Sequence, residues 1–303
     1  MSGETAVGQA KSVLDLGDLR VHRVLEFERP LLPPETLLPG LDRETLERHR
    51  HWLEPHFYSS ECDLLVLAFH SFVIESADGV VLIDTCSGND KERPQKQRYH
   101  RNNWPYLDNL KAAGFAPGDI DFVCCTHLHA DHVGWNTRLE DGHWVPTFPN
   151  ARYLFAAEEW AHWQRTDARV AYTTDPFYED SLLPIMAIGR ADLVPMDHVI
   201  SPRVALVPAP GHTPGHVTVA LDGRERHAIC SGDIMHHALQ CAEPQLSSCF
   251  CVDPLASERT RRAFLDRLAE TDTLILPAHF PTPTAGTVAR RGAGFDYRSC
   301  DVL

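Results

Sequence analysis

The sequence has no apolar run that approaches the roughly 18 residues needed to span a membrane as a helix. It is also short of positive charge, since 28 lysine and arginine residues stand against 42 aspartate and glutamate residues, giving a formal net charge of −14. An acidic surface favours solubility and repels phosphate backbones, so we expect neither a membrane nor a nucleic acid as a partner.

The first twenty residues lack the basic start and apolar core of a secretory signal peptide. The nine cysteines are an odd number, and Cys124, Cys125 and Cys230 fall inside apolar runs. We therefore expect reduced, packed thiols in a cytoplasmic protein. Cys249 and Cys251 could form half of a metal site, but no second pair of suitable spacing accompanies them, which favours a structural role.

Regular patterning is uneven along the chain. Residues 1–60 are predicted to be irregular apart from a helix over residues 42–54. Beyond them, β-rich runs alternate with helical segments, and a hairpin is predicted across Asp78 and Gly79. We expect an N-terminal extension of residues 1–60, packed on the core or on a partner subunit in a homodimer, followed by a single domain, residues 61–303. The alternation predicts two sheets covered by helices.

Histidine and aspartate side chains follow four of the predicted strands, at the point where each strand ends. The densest group lies in the stretch "CCTHLHADHVGW", residues 124–135. The residues concerned are His127, His129, Asp131, His132, His212, Asp233 and His279. Ligands of α/β proteins collect beyond the carboxyl ends of strands, so we expect the four loops to meet at one place.

Seven such side chains suit two metal ions, because a catalytic zinc commonly takes three protein ligands and keeps one position for water. The predicted groups are, for one ion, His127, His129 and His212; for the other, Asp131, His132 and His279; and, as the bridge between them, Asp233. A shared carboxylate and a bridging hydroxide fit two ions about 3.5–4 Å apart, and the hydroxide forms near neutral pH. We therefore expect two Zn²⁺ ions per chain, with iron, manganese or cobalt as alternatives.

The motifs "THLHADH", "GHTPGH", "SGD" and "PAHF", in this order, resemble those of the metallo-β-lactamase superfamily. The resemblance implies an α+β fold, an αββα sandwich in which two mixed β-sheets pack face to face with helices on both outer sides. It also implies a dinuclear site at one sheet edge, held by the seven residues above. Within the superfamily, the chain is most similar to the branch that contains N-acyl homoserine lactonases and methyl parathion hydrolase.

The expected activity is that of a dinuclear zinc-dependent hydrolase acting on a small-molecule substrate. A metal-bridging hydroxide would attack a lactone or a carboxylic ester, with Asp131 or Asp233 accepting a proton. A phosphotriesterase or a thioesterase of the same fold is the alternative. A redox enzyme of the flavodiiron kind would carry glutamate where His129 stands, and a binding protein without activity would be expected to lack ligands.

One position departs from the lactonase branch. Many of its members carry a tyrosine three residues after the bridging aspartate, where this chain has His236. A histidine there can hydrogen-bond a carbonyl oxygen or donate a proton to a leaving alkoxide. We therefore assign His236 a catalytic role together with Asp131 and Asp233.

Several residues near the motifs have two interpretations. His216 is expected to support its loop rather than bind metal, and Asp84 either orients a ligand histidine or caps a turn. Four aromatic residues either line a substrate pocket or pack in the core, namely Trp104, Trp135, Phe177 and Tyr178.

Overall fold

The structure, a computed structural model, describes residues 13–300 and 302–303. In these residues the strands are, in chain order, β1 (Val13–Asp15), β2 (Leu19–Leu32), β3 (Tyr58–Ser59), β4 (Leu64–Ser76), β5 (Gly79–Ile83), β6 (Phe122–Cys124), β7 (Thr137–Glu140), β8 (His143–Pro146), β9 (Arg152–Ala156), β10 (Ala191–Val194), β11 (Val199–Ser201), β12 (Val204–Pro208), β13 (Val217–Asp222), β14 (His227–Gly232), β15 (Leu274–Pro277), β16 (Gly286–Arg291) and β17 (Gly294–Ser299). They form two large sheets and the small hairpin β7–β8.

Helices cover the outer faces of both large sheets. They are α1 (Pro34–Leu37), α2 (Arg43–Leu53), α3 (Tyr106–Ala112), α4 (Ala157–Trp163), α5 (Thr166–Tyr172), α6 (Phe177–Ser181), α7 (Leu183–Ala187), α8 (Leu239–Ala242) and α9 (Pro254–Leu268), with single 3-10 turns at Gln97–Tyr99, Pro117–Asp119 and Gly134–Asn136. None of the helices in this part of the chain has the length and apolar character to cross a membrane. The predicted α+β sandwich is confirmed.

The eight-stranded sheet has the order β1-β2-β4-β5-β6-β9-β10, with β3 paired to β4. The strands up to β5 are antiparallel to their neighbours, whereas β5, β6, β9 and β10 run parallel. The hairpin predicted between β4 and β5 is confirmed, since Ser76 pairs with Gly79. Gly79 has a φ of 130°, and a Cβ there would lie 2.9 Å from Asp121 Oδ2, so this turn requires glycine.

The seven-stranded sheet has the order β11-β12-β13-β14-β15-β16-β17. Its strands are antiparallel except for β14 and β15, which run parallel because α9 carries the chain back between them. Both strands therefore end on the same side of the sheet. Asp233 follows directly after β14, and His279 follows β15.

The apolar core has three layers. Side chains from both sheets, such as Ile83 of β5 and Val219 of β13, fill the space between them. On the outer face of the eight-stranded sheet, α3 and α4 bury Leu110 and Trp163. On the outer face of the other sheet, α9 buries Leu268. Each fully buried side chain of this size contributes about 1.5–3 kcal/mol, so the three layers hold the sheets in a fixed relation.

The irregular structure predicted for the first sixty residues is wrong for Leu19–Leu32, which form β2 and pair with β4 along the length of the strand. The alternation of apolar and polar residues that predicts a strand is interrupted in β2, because Glu26 is buried although a glutamate is expected at the surface. Its carboxylate accepts hydrogen bonds from Ser87 N at 3.0 Å and from Trp135 Nε1 at 2.7 Å. A buried carboxylate with several donors cannot be recognised from a strand pattern alone.

The helix predicted over residues 42–54 is confirmed as α2, and the N-cap Asp42 accepts a hydrogen bond from Thr45 N at 2.7 Å. Leu46 and Leu53 of α2 pack against the core of the seven-stranded sheet. Residues 1–12 of the predicted extension lie outside the described residues. Packing on a partner subunit stays a prediction.

A buried ion pair fixes the segment between β5 and α3 to α6. Arg93 Nη1 and Nη2 donate to Asp180 Oδ2 and Oδ1 at 2.6 and 2.8 Å, and both side chains are almost fully buried. Lys91 Nζ, also buried, lies 3.7 Å from Asp180 Oδ1. Burial lowers the pKa of Lys91 to about 7, so at neutral pH Asp180 balances the full charge of Arg93 and part of a charge on Lys91. Both charges would otherwise be strongly unfavourable in the interior.

Asp180→Asn should lower the free energy of unfolding by about 3–5 kcal/mol, because both cations lose their counter-charge in a dry environment. The matched control is Asp192→Asn, which removes a partly exposed ion pair with Arg152 and should cost at most about 1 kcal/mol. Urea denaturation at one fixed metal concentration measures both variants. Equal losses would contradict the argument.

Candidate metal centre

The structure brings all seven predicted residues together at one edge of the sandwich. The loop after β6 supplies four of them, the β12–β13 loop supplies one, and the loops after β14 and β15 supply one each; in that order they are His127, His129, Asp131, His132, His212, Asp233 and His279. Asp131 is half-buried and the other six are buried. Their ligand atoms fall into two groups, and within each group all atoms lie within 4.8 Å of one another.

The first group consists of three imidazole nitrogens and one carboxylate oxygen. His212 Nε2 lies 3.1 Å from His127 Nε2 and 2.9 Å from His129 Nδ1. Asp233 Oδ2 lies 3.3 Å from His212 Nε2 and 3.6 Å from His127 Nε2. Bonds of about 2.0–2.1 Å to a tetrahedral ion place ligand atoms about 3.3 Å apart, so these four atoms fit one metal ion.

The second group lies on the other side of Asp233. His132 Nε2 and His279 Nε2 lie 3.3 and 3.2 Å from Asp233 Oδ1. Asp131 Oδ2 completes the group at 3.8 Å from His279 Nε2. The two oxygens of Asp233 therefore face two different sets of ligand atoms, as a bridging carboxylate would.

The hydrogen bonds of the site are incomplete without a cation. His132 Nε2 and Asp233 Oδ1 are buried and make no hydrogen bond. Buried polar atoms are nearly always paired, and these two face the same space. A metal ion beside them would satisfy both, so the residues present fit the metal that their chemistry implies.

The electrostatics of the site favour the metal-binding form of the three histidines in the first group and of Asp233. In the second group the charge of Asp233 outweighs burial and raises the pKa of His132 and of His279, so these two imidazoles would lose their protons on binding a metal. Burial lowers the pKa of His127, His129 and His212 well below the usual value, which keeps these imidazoles neutral. Burial by itself would raise the pKa of Asp233, but the charges of His132 and His279 hold it well below the usual value. Neutral imidazole and ionised carboxylate are the forms that bind metal.

Asp84 and His216 support the candidate ligands from behind. Asp84 Oδ2 accepts a hydrogen bond from His132 Nδ1 at 2.8 Å, which favours the first of its two interpretations, the orientation of a histidine of the motif. His216 Nε2 accepts a hydrogen bond from Asp233 N at 2.9 Å. Such contacts fix ring orientation and tautomer, which strengthens metal binding.

Glu159 of α4 is a supporting residue that the sequence did not reveal. Its buried Oε1 accepts hydrogen bonds from Leu128 N at 3.1 Å and from Trp163 Nε1 at 2.6 Å. Its Oε2 accepts a hydrogen bond from Gly215 N at 2.9 Å. One carboxylate thus ties the loop after β6 to the β12–β13 loop. A lone glutamate at the start of a helix carries no signal for this role.

His236 lies beside the candidate centre. Its Nε2 is 3.1 Å from Asp233 Oδ2 and 3.3 Å from Ser248 Oγ. The ring is buried and lies 4.9 Å, between centroids, from the ring of His212. The catalytic role of His236 stays a prediction.

The space in front of the centre is lined by residues that the sequence did not identify. Tyr99 Oη donates to Asp131 Oδ2 at 3.0 Å, and the Tyr172 ring stacks on His129 with centroids 4.2 Å apart. Lys96, Arg98 and Phe250 complete the lining. Arg98 and Tyr99 lie in the 3-10 turn Gln97–Tyr99, Tyr172 is the last residue of α5, and Lys96 and Phe250 lie in loops. None of these short segments has a sequence pattern that indicates the site, so only the folded chain shows them.

A larger cavity of about 390 Å³ opens beside this space and shares Lys96, Tyr172 and Phe250 with it. Trp163 and Val252 give it apolar walls. None of the four aromatic residues that had two interpretations lines either space. Trp135, Phe177 and Tyr178 pack in the core, and Trp104 stacks on Phe27.

Cys251 lies close to the centre without joining either ligand group. Its Sγ is 3.5 Å from His212 Nδ1 and 3.3 Å from Ser257 Oγ. Cys249 is exposed. The two thiols therefore do not form a separate metal group with other described residues.

Residues 67–279, which contain the seven clustered residues, match the family model of the metallo-beta-lactamase superfamily. The match spans well over half of the 303 residues, and the chain belongs to this superfamily. Its members and the relatives below identify it as a metal-dependent hydrolase.

A probable metallo-hydrolase of Mycobacterium tuberculosis is 28% identical over 250 residues, which cover 72% of this chain and 76% of the relative. An N-acyl homoserine lactonase of Bacillus thuringiensis is 22% identical over 179 residues, or 55% of this chain and 63% of that protein. The solved structure of AidC, a dizinc quorum-quenching lactonase in complex with a product, N-hexanoyl-L-homoserine, has the same fold. It matches with a TM-score of 0.78 at 18% identity and covers 96% of this chain and 97% of that chain.

Asp84→Ala should weaken metal binding by about 10- to 100-fold, because His132 loses the acceptor that holds its outer nitrogen. Asp121→Ala is the control, since Asp121 accepts a hydrogen bond from Val80 N at the opposite end of β6. Competition with a chromogenic chelator gives both affinities. An unchanged affinity in Asp84→Ala would show that the contact does not orient His132.

Proposed function

We propose that the protein is a dinuclear zinc-dependent hydrolase that opens a lactone or cleaves a carboxylic ester. The observation that carries this proposal is Asp233, whose two oxygens face separate groups of ligand atoms. A single-ion site would need only one of these groups. The dizinc lactonase among the proteins of similar fold supports zinc as the metal.

The seven clustered side chains would hold two metal ions. His127, His129 and His212 would hold one ion, while Asp131, His132 and His279 would hold the other, with Asp233 shared. When bound, the ions would supply Lewis-acid activation of a carbonyl oxygen and a water molecule acidic enough to ionise near neutral pH.

Proton movement would fall to residues in contact with the shared carboxylate. Asp233 and Asp131 are the carboxylates at which a proton could be held, and Tyr99 Oη fixes Asp131 Oδ2 by a 3.0 Å hydrogen bond. His236 Nε2 lies in the same space, 3.1 Å from Asp233 Oδ2. We propose that His236 donates to the substrate oxygen or to the departing alkoxide.

The choice of a lactone or ester over other substrates rests on the lactonases among the relatives. The adjoining cavity of about 390 Å³, with Trp163 and Val252 in its walls, has room for an acyl chain. Phosphotriester and thioester hydrolysis can use the same metal-activated water as the nucleophile and therefore belong in the same experiment.

The test combines metal analysis with a substrate panel. Zinc-reconstituted protein should contain about two ions per chain and hydrolyse a lactone or carboxylic ester faster than a matched thioester or phosphotriester. Asp233→Ala should lose most of the activity and part of the metal, because its carboxylate faces both ligand groups. One ion per chain would overturn the dinuclear site, and a preference for phosphotriesters or thioesters would overturn the substrate class.

His236→Ala should lower kcat by about tenfold to a thousandfold, the range expected when a general acid or oxyanion donor is lost. Metal content should stay at about two ions, since His236 is not among the proposed ligands. His236→Tyr introduces the residue found in many lactonases and should retain more activity on lactones than His236→Ala.

The control for this substitution is His143→Ala, which changes an exposed histidine of β8. Steady-state kinetics and elemental analysis of the three variants separate the possible roles. Full activity in His236→Ala, or loss of one ion, would contradict the proposed role.

A further inference from the structure

Two cationic side chains, Lys96 and Arg98, line the space in front of the candidate centre together with Asp131. Lys96 Nζ lies 3.8 Å from the centroid of the Tyr172 ring, which itself stacks on His129. Arg98 Cζ lies 5.3 Å from the centroid of Phe250, and Lys96 Nζ lies 5.6 Å from the same ring. Both cations therefore line one space, at the mouth of the ligand groups.

Neither cation forms an ion pair with a carboxylate of the described residues, and Arg98 Nε is buried without a hydrogen-bond partner. Two other buried cations have carboxylate partners, since Arg23 pairs with Glu28 at 3.0 Å and Arg93 pairs with Asp180 at 2.6 Å. The buried Arg261 is instead satisfied by neutral acceptors, among them Pro244 O at 2.9 Å. Half-burying two cations without partners is costly, and a bound anion would offset that cost.

The two carboxylates that interact electrostatically with Lys96, those of Asp131 and Asp175, already accept hydrogen bonds from other groups. Asp131 accepts from Tyr99 Oη and belongs to a ligand group, and Asp175 accepts from Gln95 N at 3.0 Å. Burial lowers the pKa of Lys96 to about 8, so most of the side chain is still cationic at neutral pH. The same space is also lined by Asp131 and Asp233, whose carboxylates would be committed to the metal ions. In the metal-loaded protein, Lys96 and Arg98 would therefore have no carboxylate of their own.

The position of the two cations fixes where an anion would lie. Arg98 lines only the inner space beside Asp131 and His236, whereas Lys96 lines both this space and the outer cavity. An anionic group bound between them would lie a few bonds from the reacting carbonyl. The apolar walls of the outer cavity would remain free for the rest of the molecule.

We propose that the substrate of this enzyme is an ester or lactone that carries a carboxylate close to the scissile bond, and that Lys96 and Arg98 bind this carboxylate. The inference rests on the proposed hydrolase function and names its substrate class. The planar guanidinium of Arg98 suits two-point recognition of a carboxylate, and the ammonium of Lys96 adds a mobile point charge.

The test uses pairs of substrates that differ in one charge. The first pair is the phenyl monoester of adipic acid and the same ester with a primary carboxamide in place of the free carboxylate. The second is a γ-butyrolactone bearing a carboxylate and the same lactone bearing a carboxamide. Zinc-loaded protein should show kcat/KM values at least about tenfold higher for the carboxylate member of each pair, mainly through a lower KM.

Variants decide whether the two cations cause that preference. Lys96→Met and Arg98→Met should each bring the carboxylate-to-carboxamide ratio of kcat/KM towards one, and Lys96→Arg should keep much of it. Lys111→Met, which removes an exposed lysine of α3, is the matched control and should retain the ratio of the unmodified protein. Titration calorimetry with the unreactive anilides of the first pair should show the same pattern in affinity.

The proposal would be overturned by a ratio near one in the unmodified protein. It would also be overturned by a preference that persists in both methionine variants, since the metal centre alone would then select the carboxylate. Faster cleavage of a phosphodiester than of either carboxylate substrate would equally reject it. No hydrolysis of any ester or lactone, charged or neutral, would instead reject the proposed function.

Discussion

The site depends on the placement of one buried carboxylate, that of Asp233, between two sets of histidines. The backbone must come close to His216 for Asp233 N to donate to that ring, and the preceding residue makes this approach possible. Gly232 has a φ of 51°, and a Cβ there would lie 2.6 Å from His216 Nε2 and 2.9 Å from Thr126 Oγ1. Any side chain at this position would force His216 or Thr126 to move, and with His216 the hydrogen bond that holds Asp233 N.

The same constraint explains why the supporting hydrogen bonds are buried. The imidazoles and carboxylates of the site are nearly free of solvent, and such groups are unfavourable unless they are paired or coordinated. Asp84 and Glu159 compensate part of this cost by hydrogen bonds to His132 and to the backbone of two loops. A bound cation would supply the remainder, so metal binding and folding stability are coupled in this protein.

The sequence predicts the candidate metal ligands, because these residues are close together in the chain or directly follow a strand. His127 to His132 occupy one loop, and every later candidate ligand follows a recognisable strand, so sequence order and strand ends suffice to group them. Lys96, Arg98 and Tyr172 lie in segments whose path is fixed by distant contacts such as the Arg93–Asp180 pair. Strand β2 was not predicted for a related reason. The carboxylate of Glu26 is buried and accepts hydrogen bonds from residues of remote loops, which the strand pattern does not indicate.

The difference between the candidate metal ligands, which are predictable, and the unpredicted residues in front of them has a physical origin. The candidate ligands are held by strand ends of two packed sheets, and geometry fixed in this way tolerates little change without loss of the metal. The substrate side is built from loops and short helical segments, which carry Lys96, Tyr172 and Phe250. Such segments can change without disturbing the sheets. Two proteins of this fold can therefore share a metal centre and still differ in the charge of their substrates. Lys96 and Arg98 belong to these segments and not to the strand ends, so the motifs predict the chemistry of the site and do not predict the cations beside it.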